Sequence, residues 1–243
     1  MATGVRIRGA SGNLQISENA PTYMIVAKGS FDAGSKVNAD GGAGAYPKYV
    51  FSQRFSLPFP ITTQEPPMIF MRFHNECGIT GFSLIGGPGA WTGIHLNSGL
   101  PGRPDAPCIG DYFVAVAQVA PSTSSRVGMR IRNRNTNVVI YDSGYPLVKF
   151  SANIVQFVKE YSSYWQMNMY AGVKQPGTYM LMNTLTGFIA NEGNWPNEPA
   201  DFVWLMFHPN EPSRFWMTTQ KSGYDDQLFN DYIWAVVTAN PGL

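Results

Sequence analysis

The sequence is poor in charge. Only 14% of its 243 residues are Asp, Glu, Lys or Arg, against about 25% in an average soluble protein. The 17 Lys and Arg nearly balance the 16 Asp and Glu, so the formal net charge is +1. Without an excess of one sign, the chain has no global field that attracts nucleic acid or an anionic membrane. The sequence therefore predicts no nucleic-acid partner, and a surface of uncharged residues or one covered by another subunit.

Long hydrophobic runs are also missing. Nowhere do about 18 apolar residues follow one another, as a membrane-spanning helix requires, and the segment MATGVRIRGAS contains no apolar core of a secretory signal. We therefore expect a protein that is made in a cytoplasm and does not insert into a membrane. Only two cysteines occur, Cys77 and Cys108. Because one pair is not a disulfide framework, we expect both to be free buried thiols.

Sustained helical periodicity is absent as well. Short apolar runs at 23–27, 68–73, 82–85 and 112–119 are separated by segments rich in the 25 Gly and 18 Pro of the chain. Runs of this length, rich in β-branched and aromatic residues, are typical of strands. The segment SANIVQFVKEYSSYW, residues 151–165, comes closest to a helical stripe and stays open between helix and strand. The sequence therefore predicts an all-β fold with glycine and proline in its turns.

What the sequence does contain is a repeat. GVRIRGASGNLQI at 4–16 matches GMRIRNRNTNVVI at 128–140 at six of thirteen positions. In each copy apolar residues alternate with arginine, Gly and Asn provide a turn, and the alternation restarts, which is the pattern of a β-hairpin. In the second copy we expect Met129 and Ile131 to face the interior.

Two later matches occur in the same order. IFMRFHN at 69–75 is matched by VWLMFHP at 203–209, and GDYFVAVAQVA at 110–120 by NDYIWAVVTAN at 230–240. Collinear matches indicate duplication of a whole domain rather than of one hairpin. We therefore predict two tandem, internally repeated β-sandwich domains, residues 1–122 and 127–243, joined by a Ser-rich linker.

Neither a metal site nor a catalytic site is evident. His74, Cys77, His95 and Cys108 are of zinc-binding types, but the second half contains no cysteine and no counterpart of His95, so we predict no metal site. The aspartates lack the context of a catalytic carboxylate pair, and the glycine-rich segment 41–48 lacks the spacing of a phosphate loop. We predict that the protein is not an enzyme and uses no cofactor. A hydrolase with an unrecognised carboxylate pair stays open.

Aromatic residues, 14% of the chain, give the better indication of function. Trp91 in GGPGAWTG and Trp195 in NEGNWPNEP lie in Gly-, Pro- and Asn-rich loops. Each ring can contact a neighbouring subunit, stack on a sugar or cover the end of its own core. In residues 160–170, EYSSYWQMNMY, apolar residues alternate with a face that contains Tyr164 and Tyr170. That face suits an interface better than a glycan.

Arginines are expected on the outer face of each repeated hairpin. Arg6 and Arg8 belong to the first copy, and Arg130 and Arg132 belong to the second. No aromatic base-stacking platform accompanies these charges, so a nucleic-acid site is not indicated. We expect salt bridges to a neighbouring chain, with unpartnered surface arginines as the alternative.

The second hairpin and the strand after it resemble a known group of proteins. GMRIRNRNTNVVIYDSGYPLVKF, residues 128–150, is similar to the opening of small tail-tip and baseplate-associated proteins of tailed bacteriophages. Those proteins often begin with Gly-Leu-x-Val/Ile, an Asn or Gly turn, and a strand that ends in Asp-Ser and an aromatic residue. Asp142 and Ser143 match this Asp-Ser, whereas the first copy has Glu18 and Asn19.

The resemblance implies a structural protein of the virion, located in the tail and made in the host cytoplasm. Its partners would be other tail or baseplate proteins and further copies of itself in a symmetric assembly, with host-surface attachment to a glycan as a further role. It implies no catalytic residue. From the residues alone, the alternative is a tandem carbohydrate-binding protein that recognises surface glycans through Trp91 and Trp195.

Overall fold

The computed structural model describes residues 4–9, 12–17, 22–32, 35–38, 49–99, 108–120, 128–156, 158–162, 166–171, 178–183, 189–190, 201–207, 215–220 and 233–241. Every regular element in these ranges is a β-strand, as the sequence predicts. In this part of the chain there is no helix with the length and apolar character needed to cross a membrane.

The described residues of the first half of the chain form nine strands. They are β1 (Gly4–Gly9), β2 (Gly12–Ser17), β3 (Met24–Phe31), β4 (Ser35–Asn38), β5 (Tyr49–Ile61), β6 (Met68–Phe73), β7 (Cys77–Gly87), β8 (Ala90–Gly99) and β9 (Gly110–Val116). The short apolar runs of the sequence analysis in this half lie in β3, β6, β7 and β9.

In the part of the second half that the structure describes, there are ten strands. They are β10 (Arg130–Arg132), β11 (Val139–Asp142), β12 (Val148–Gln156), β13 (Val158–Ser162), β14 (Gln166–Ala171), β15 (Tyr179–Leu181), β16 (Ile189–Ala190), β17 (Asp201–Phe207), β18 (Phe215–Gln220) and β19 (Ile233–Pro241). Strands β12 and β13 occupy most of residues 151–165. The described residues of this segment, for which the sequence allowed a helix or a strand, are therefore extended.

Two large sheets combine strands from both halves. The order in the six-stranded sheet is β12-β19-β15-β6-β9-β3, and the nine-stranded sheet runs β13-β14-β18-β17-β7-β8-β5-β4 with β16 beside β17. The halves meet where β15 pairs with β6 and where β17 pairs with β7, both antiparallel. Hydrogen bonding therefore continues through each sheet across the predicted domain boundary.

The six-stranded sheet curls until its two edges meet. Met24, at the start of β3, forms a bridge with Leu147, which directly precedes β12. The Ile25 amide donates to the Pro146 carbonyl at 2.8 Å, and the Val148 amide donates to the Tyr23 carbonyl at 3.0 Å. These bonds satisfy backbone groups that an open edge would leave to solvent or to another chain.

Curling buries the six-stranded sheet on both faces. One face, which includes Ile69 and Val114, joins the larger core cluster together with residues of the nine-stranded sheet. The other face, which includes Phe70 and Phe113, forms a second cluster inside the curl. Successive side chains point to opposite faces of a strand, so a strand covered on both faces is apolar along its covered part. This explains the continuous apolar runs of β6 and β9.

The nine-stranded sheet alternates instead. In β8, Ile94 and Leu96 are fully buried, whereas His95 and Asn97 between and beyond them are partly exposed. A buried glutamine, Gln53 of β5, connects this sheet to the segment after β3 and to the segment before β9. Its amide nitrogen donates to the carbonyl oxygens of Asp32 and Cys108, and its Oε1 accepts from Ser98 Oγ at 2.9 Å. A buried amide with these partners escapes the cost of desolvation without compensation.

Both predicted hairpins are confirmed. Strand β1 pairs with β2 and β10 pairs with β11, each antiparallel and each in a two-stranded sheet. Two expectations are wrong. Met129 does not face the interior, because its side chain is 37% exposed. The matched segments 69–75 and 203–209 contain β6 and β17, which lie in different sheets, so that match does not support a repeat.

Candidate functional site

The hairpin β10–β11 contains the residues that carry the phage resemblance. Asp142, at the end of β11, is 3% exposed. Its Oδ2 accepts from Arg130 Nε at 2.7 Å, and its Oδ1 accepts from the Gly144 amide at 2.9 Å. Ser143 Oγ accepts from the Met129 amide at 2.8 Å, and the Ser143 amide donates to the Met129 carbonyl at 3.0 Å. The Asp-Ser pair therefore holds the open end of the hairpin together.

The turn of this hairpin is held by asparagines. Asn133 Oδ1 accepts from the amides of Asn135 and Thr136 at 2.9 and 3.0 Å. Asn137 has φ of +58°, a conformation that asparagine tolerates better than most residues. Arg132 Nη1 donates to the Asn137 carbonyl at 2.9 Å. The sequence identified this turn from the same residue types.

The hairpin is attached to the six-stranded sheet on the side of β9. Val119, just beyond β9, forms a bridge with Val139, and its amide donates to the Val139 carbonyl at 3.3 Å. The Tyr145 hydroxyl donates to the Ala120 carbonyl at 3.2 Å. The position of the hairpin is therefore set by backbone bonds rather than by side-chain packing alone.

The four predicted interface arginines differ in their surroundings. Arg130 binds Asp142 of its own hairpin, and Arg132 spans the turn beside it. Arg6 and Arg8 lie in β1, opposite Gln15 and Asn13, and their side chains lie outside the described residues. The predicted salt bridges to a neighbouring chain stay a prediction for all four.

Trp91, the first predicted loop tryptophan, lies in β8 directly after the β7–β8 turn. Its ring packs against the larger core cluster and is partly exposed. Its indole nitrogen donates to the Thr63 carbonyl at 3.0 Å, and the Gly89 amide donates to the same oxygen at 2.9 Å. Trp91 thus fixes the segment 62–67 against the turn. Contact of its exposed part with a sugar or a subunit stays a prediction.

The other three predicted aromatic residues are Trp195, Tyr164 and Tyr170. Trp195 and Tyr164 lie outside the described residues. Tyr170 lies in β14, paired with Val158 of β13 and Trp216 of β18, and its side chain is outside the described part. Their proposed roles in binding also stay predictions.

The residue types considered for zinc are dispersed. Cys77 and Cys108 are buried free thiols, as predicted. His74 lies beside Asp111, whereas His95 lies beside Ser52 on the nine-stranded sheet. Within the described ranges, no three His, Cys, Asp or Glu side chains come together as a metal site would require.

His95 has two serine neighbours on the outer face of the nine-stranded sheet. Its Nε2 lies 2.8 Å from Ser52 Oγ, and its Nδ1 lies 3.5 Å from Ser83 Oγ. Burial and the nearby Arg54 guanidinium lower the pKa of His95 below its usual value, and a hydrogen bond with Asn97 opposes this shift. The imidazole is therefore neutral near pH 7. The two hydroxyls satisfy its ring nitrogens.

A charged cluster lies at one end of the six-stranded sheet. Arg72 at the end of β6 and Asp111 at the start of β9 are cross-strand partners. Arg72 Nη2 donates to Asp111 Oδ2 at 2.6 Å, and His74 Nε2 lies 3.0 Å from the same oxygen. The side chains are 35%, 27% and 47% exposed for Arg72, Asp111 and His74. One carboxylate oxygen therefore receives two nitrogen groups at a partly solvated site.

Tyr179 of β15 completes this cluster from the second half of the chain. The Arg72 guanidinium carbon lies 4.8 Å from the centre of the Tyr179 ring, within the range of cation–π attraction. Phe113 contacts the same ring edge-on, with centroids 4.9 Å apart. Burial raises the pKa of Tyr179; Arg72 opposes this shift and Asp111 adds to it. Arg72 Nε is buried and has no hydrogen-bond partner among the described residues.

The arrangement holds this end of the sheet together. Sequence analysis considered His74 only as a zinc-binding type, treated the aspartates without this context, and missed Arg72 and Tyr179. The available signal was a single arginine inside the otherwise apolar segment MIFMRF, residues 68–73. A charge in a doubly buried strand requires a partner.

Comparisons of the chain with protein-family models, with curated proteins and with solved structures found no match.

Proposed function

We propose that this chain is a structural subunit of a bacteriophage tail tip or baseplate, which acts by assembly and not by catalysis. The carrying observation is the hairpin β10–β11. Asp142 of the Asp-Ser motif binds Arg130, and Ser143 binds the backbone amide of Met129. The sequence resemblance therefore corresponds to a set of interacting residues that shapes one structural unit, which supports kinship more strongly than a matching string alone.

The surface supports an assembly role. Five large apolar side chains of the described residues are at least 36% exposed: Phe59, Ile85, Ile109, Met129 and Phe150. Scattered single residues of this kind are ordinary on a soluble protein. Combined with a charged fraction of only 14%, they suit a chain whose surface is covered by neighbours, since interface cores are depleted in charge.

We propose further that the two halves are copies related by a two-fold axis. The strand order of each large sheet supports this. Outward from the junction of the halves, the six-stranded sheet runs β6-β9-β3 on one side and β15-β19-β12 on the other. The nine-stranded sheet likewise runs β7-β8-β5-β4 and β17-β18-β14-β13. An irregularity between Ile25 and Ala27 of β3 has a counterpart between Phe150 and Ala152 of β12. A duplicated segment of residues 1–122 and 127–243 accounts for both.

The inner cluster of the curled sheet supports the same symmetry. Phe70 and Leu181 pair across the β6–β15 junction, and both lie in this cluster. Ala115 of β9 and Ala239 of β19 are each fully buried in it. The copies would thus share their sheets as two subunits of a symmetric dimer share an isologous interface. A fused pair of this kind offers two related contact surfaces, which multiplies weak contacts by avidity.

Mass spectrometry tests the proposal on tailed particles purified from cells that encode the chain. We expect its peptides in the particles at a fixed ratio to other tail proteins. Particles that contain complete tails and none of its peptides would contradict the proposal. Charge reversal at the exposed arginine, Arg132→Glu, should reduce incorporation, whereas Asn135→Ala on the same turn should not.

A further inference from the structure

A pocket of about 230 Å³ opens at the end of the six-stranded sheet where the segment 62–67 enters β6. Met68 of β6 and Ala115 of β9 are cross-strand partners that line it. Tyr23, which precedes β3, also lines the pocket. The charged cluster of Arg72 and Asp111 lies at the other end of the same two strands.

Thr63, Gln64, Glu65 and Gln118 are polar residues that line the same pocket. Thr63 is partly buried, and the other three are exposed. Among the described residues, the side chains of Gln64, Glu65 and Gln118 form no hydrogen bond or ion pair. A carboxylate accepts hydrogen bonds, and each amide both donates and accepts. The pocket therefore offers donors and acceptors next to an apolar floor.

Size and charge restrict the ligand. The volume lies below the range of about 300–1,000 Å³ that is usual for drug-sized ligands, so one small ring fits better than an extended molecule. Among the described residues, Glu65 is the only formally charged side chain that lines the pocket at neutral pH, and no Lys, Arg or His of this part of the chain lines it. A phosphate or carboxylate ligand would meet one negative charge and no positive charge from these residues, which disfavours it.

We infer that this pocket binds a single neutral sugar ring. Sugar hydroxyls both donate and accept, so they match the amides of Gln64 and Gln118 and the carboxylate of Glu65. The C–H face of a sugar ring matches Met68 and the Tyr23 ring. This inference goes beyond the proposed assembly role and does not rest on the phage assignment, because it uses only the pocket.

Trp91 positions one wall of the pocket without lining it. Its indole nitrogen and the Gly89 amide both donate to the Thr63 carbonyl, and Thr63 lines the pocket. The Thr63 hydroxyl in turn donates to the Glu65 carbonyl at 2.8 Å. The segment that carries Gln64 and Glu65 is therefore held before a ligand arrives, which lowers the entropic cost of binding.

Saturation-transfer NMR on the full chain tests the inference. The probes are D-glucose, D-galactose and N-acetyl-D-glucosamine, each alone and then with inorganic phosphate as a competitor. We expect transfer to at least one sugar and no displacement by phosphate. Gln118→Ala and Glu65→Ala should each weaken that binding about tenfold or more, the effect of losing about 1.4 kcal/mol.

The matched control is Asn135→Ala, which removes an exposed amide side chain from the distant hairpin turn and should leave sugar binding unchanged. Because Gln118 and Glu65 are exposed and make no side-chain bond in the described structure, both pocket variants should keep the thermal midpoint of the parent chain. Absence of transfer to all three sugars, displacement by phosphate, or full binding by folded pocket variants would each overturn the inference.

Discussion

The two ends of the β6–β9 strand pair in the six-stranded sheet differ in their polar groups. At the end that we call the closed end, Arg72 and His74 both bind Asp111, and the Arg72 guanidinium lies over the Tyr179 ring. At the open end, the side chains of Gln64, Glu65 and Gln118 surround a pocket and make no such bonds among the described residues. The difference teaches that polar residues of one sheet can serve stability at one end and binding at the other.

The largest expected effect comes from the inner cluster of the six-stranded sheet, which lies between the two ends. Phe70 is fully buried and stacks on Phe113, with ring centroids 4.6 Å apart. Phe70→Ala should lower the free energy of unfolding by about 3–5 kcal/mol, because it removes buried contacts and leaves a cavity. Urea unfolding measures this loss. Phe59→Ala, at a side chain that is 47% exposed, should change it by no more than about 0.5 kcal/mol. Similar losses of unfolding free energy for the two variants would contradict the tight packing of Phe70 in the inner cluster.

The next effect separates the two ends. Asp111→Asn removes the charge that binds Arg72 and His74, so the free energy of unfolding should fall by about 1.5–3 kcal/mol, the range for hydrogen bonds to charged groups. Glu65→Gln at the open end should change it by less than about 0.5 kcal/mol. Urea unfolding of both variants in one buffer makes the comparison. Equal losses of unfolding free energy in the two variants would contradict the claim that only the closed end contributes to stability through its polar side chains.

A smaller effect concerns the wall of the open end. Trp91→Phe keeps an aromatic ring against the core and loses the hydrogen bond to the Thr63 carbonyl, so sugar binding should weaken by about 0.5–1.5 kcal/mol, the net value of such a bond. Titration of the sugar followed by NMR gives the dissociation constant. Unchanged affinity in a folded variant would mean that Trp91 does not position the segment 62–67.

The smallest effect is a titration at the closed end. Because burial raises the pKa of Tyr179 above its usual value of 10.0, the unfolded chain loses its tyrosine proton first as pH rises. The contribution of Tyr179 to stability is therefore full below pH 10.0 and is lost as pH rises through the higher folded-state pKa. Carbon-13 NMR of labelled tyrosine follows the ionisation. Arg72→Gln should raise this pKa further and Asp111→Asn should lower it; shifts of the opposite sign would contradict the described cluster.

The hairpins and the buried cysteines could be predicted from the sequence. The hairpins β1–β2 and β10–β11 follow from apolar alternation and Asn or Gly turns, and the burial of Cys77 and Cys108 follows from their number and type. Pairing between the halves was not readable, because β6 and β15 meet through backbone bonds that any extended segment offers. The misleading match of 69–75 with 203–209 shows the same limit. Both are apolar strands, yet they belong to different sheets.

The sites were less readable than the hairpins. Trp91 was recognisable as a loop-end aromatic, but its bond to Thr63 depends on how two turns meet. Arg72 and Tyr179 are more than one hundred residues apart in the chain and come together only because β6 pairs with β15. The open end is assembled from three separate segments, so no local spacing could have indicated it.

The central claim, a subunit that works by assembly in a phage tail, is tested most directly by cryo-electron microscopy of the particle. We predict density for this chain at the distal end of the tail, with the hairpin β10–β11 covered by a neighbouring subunit. A complete tail without this chain, or a map in which that hairpin faces only solvent, would contradict the account.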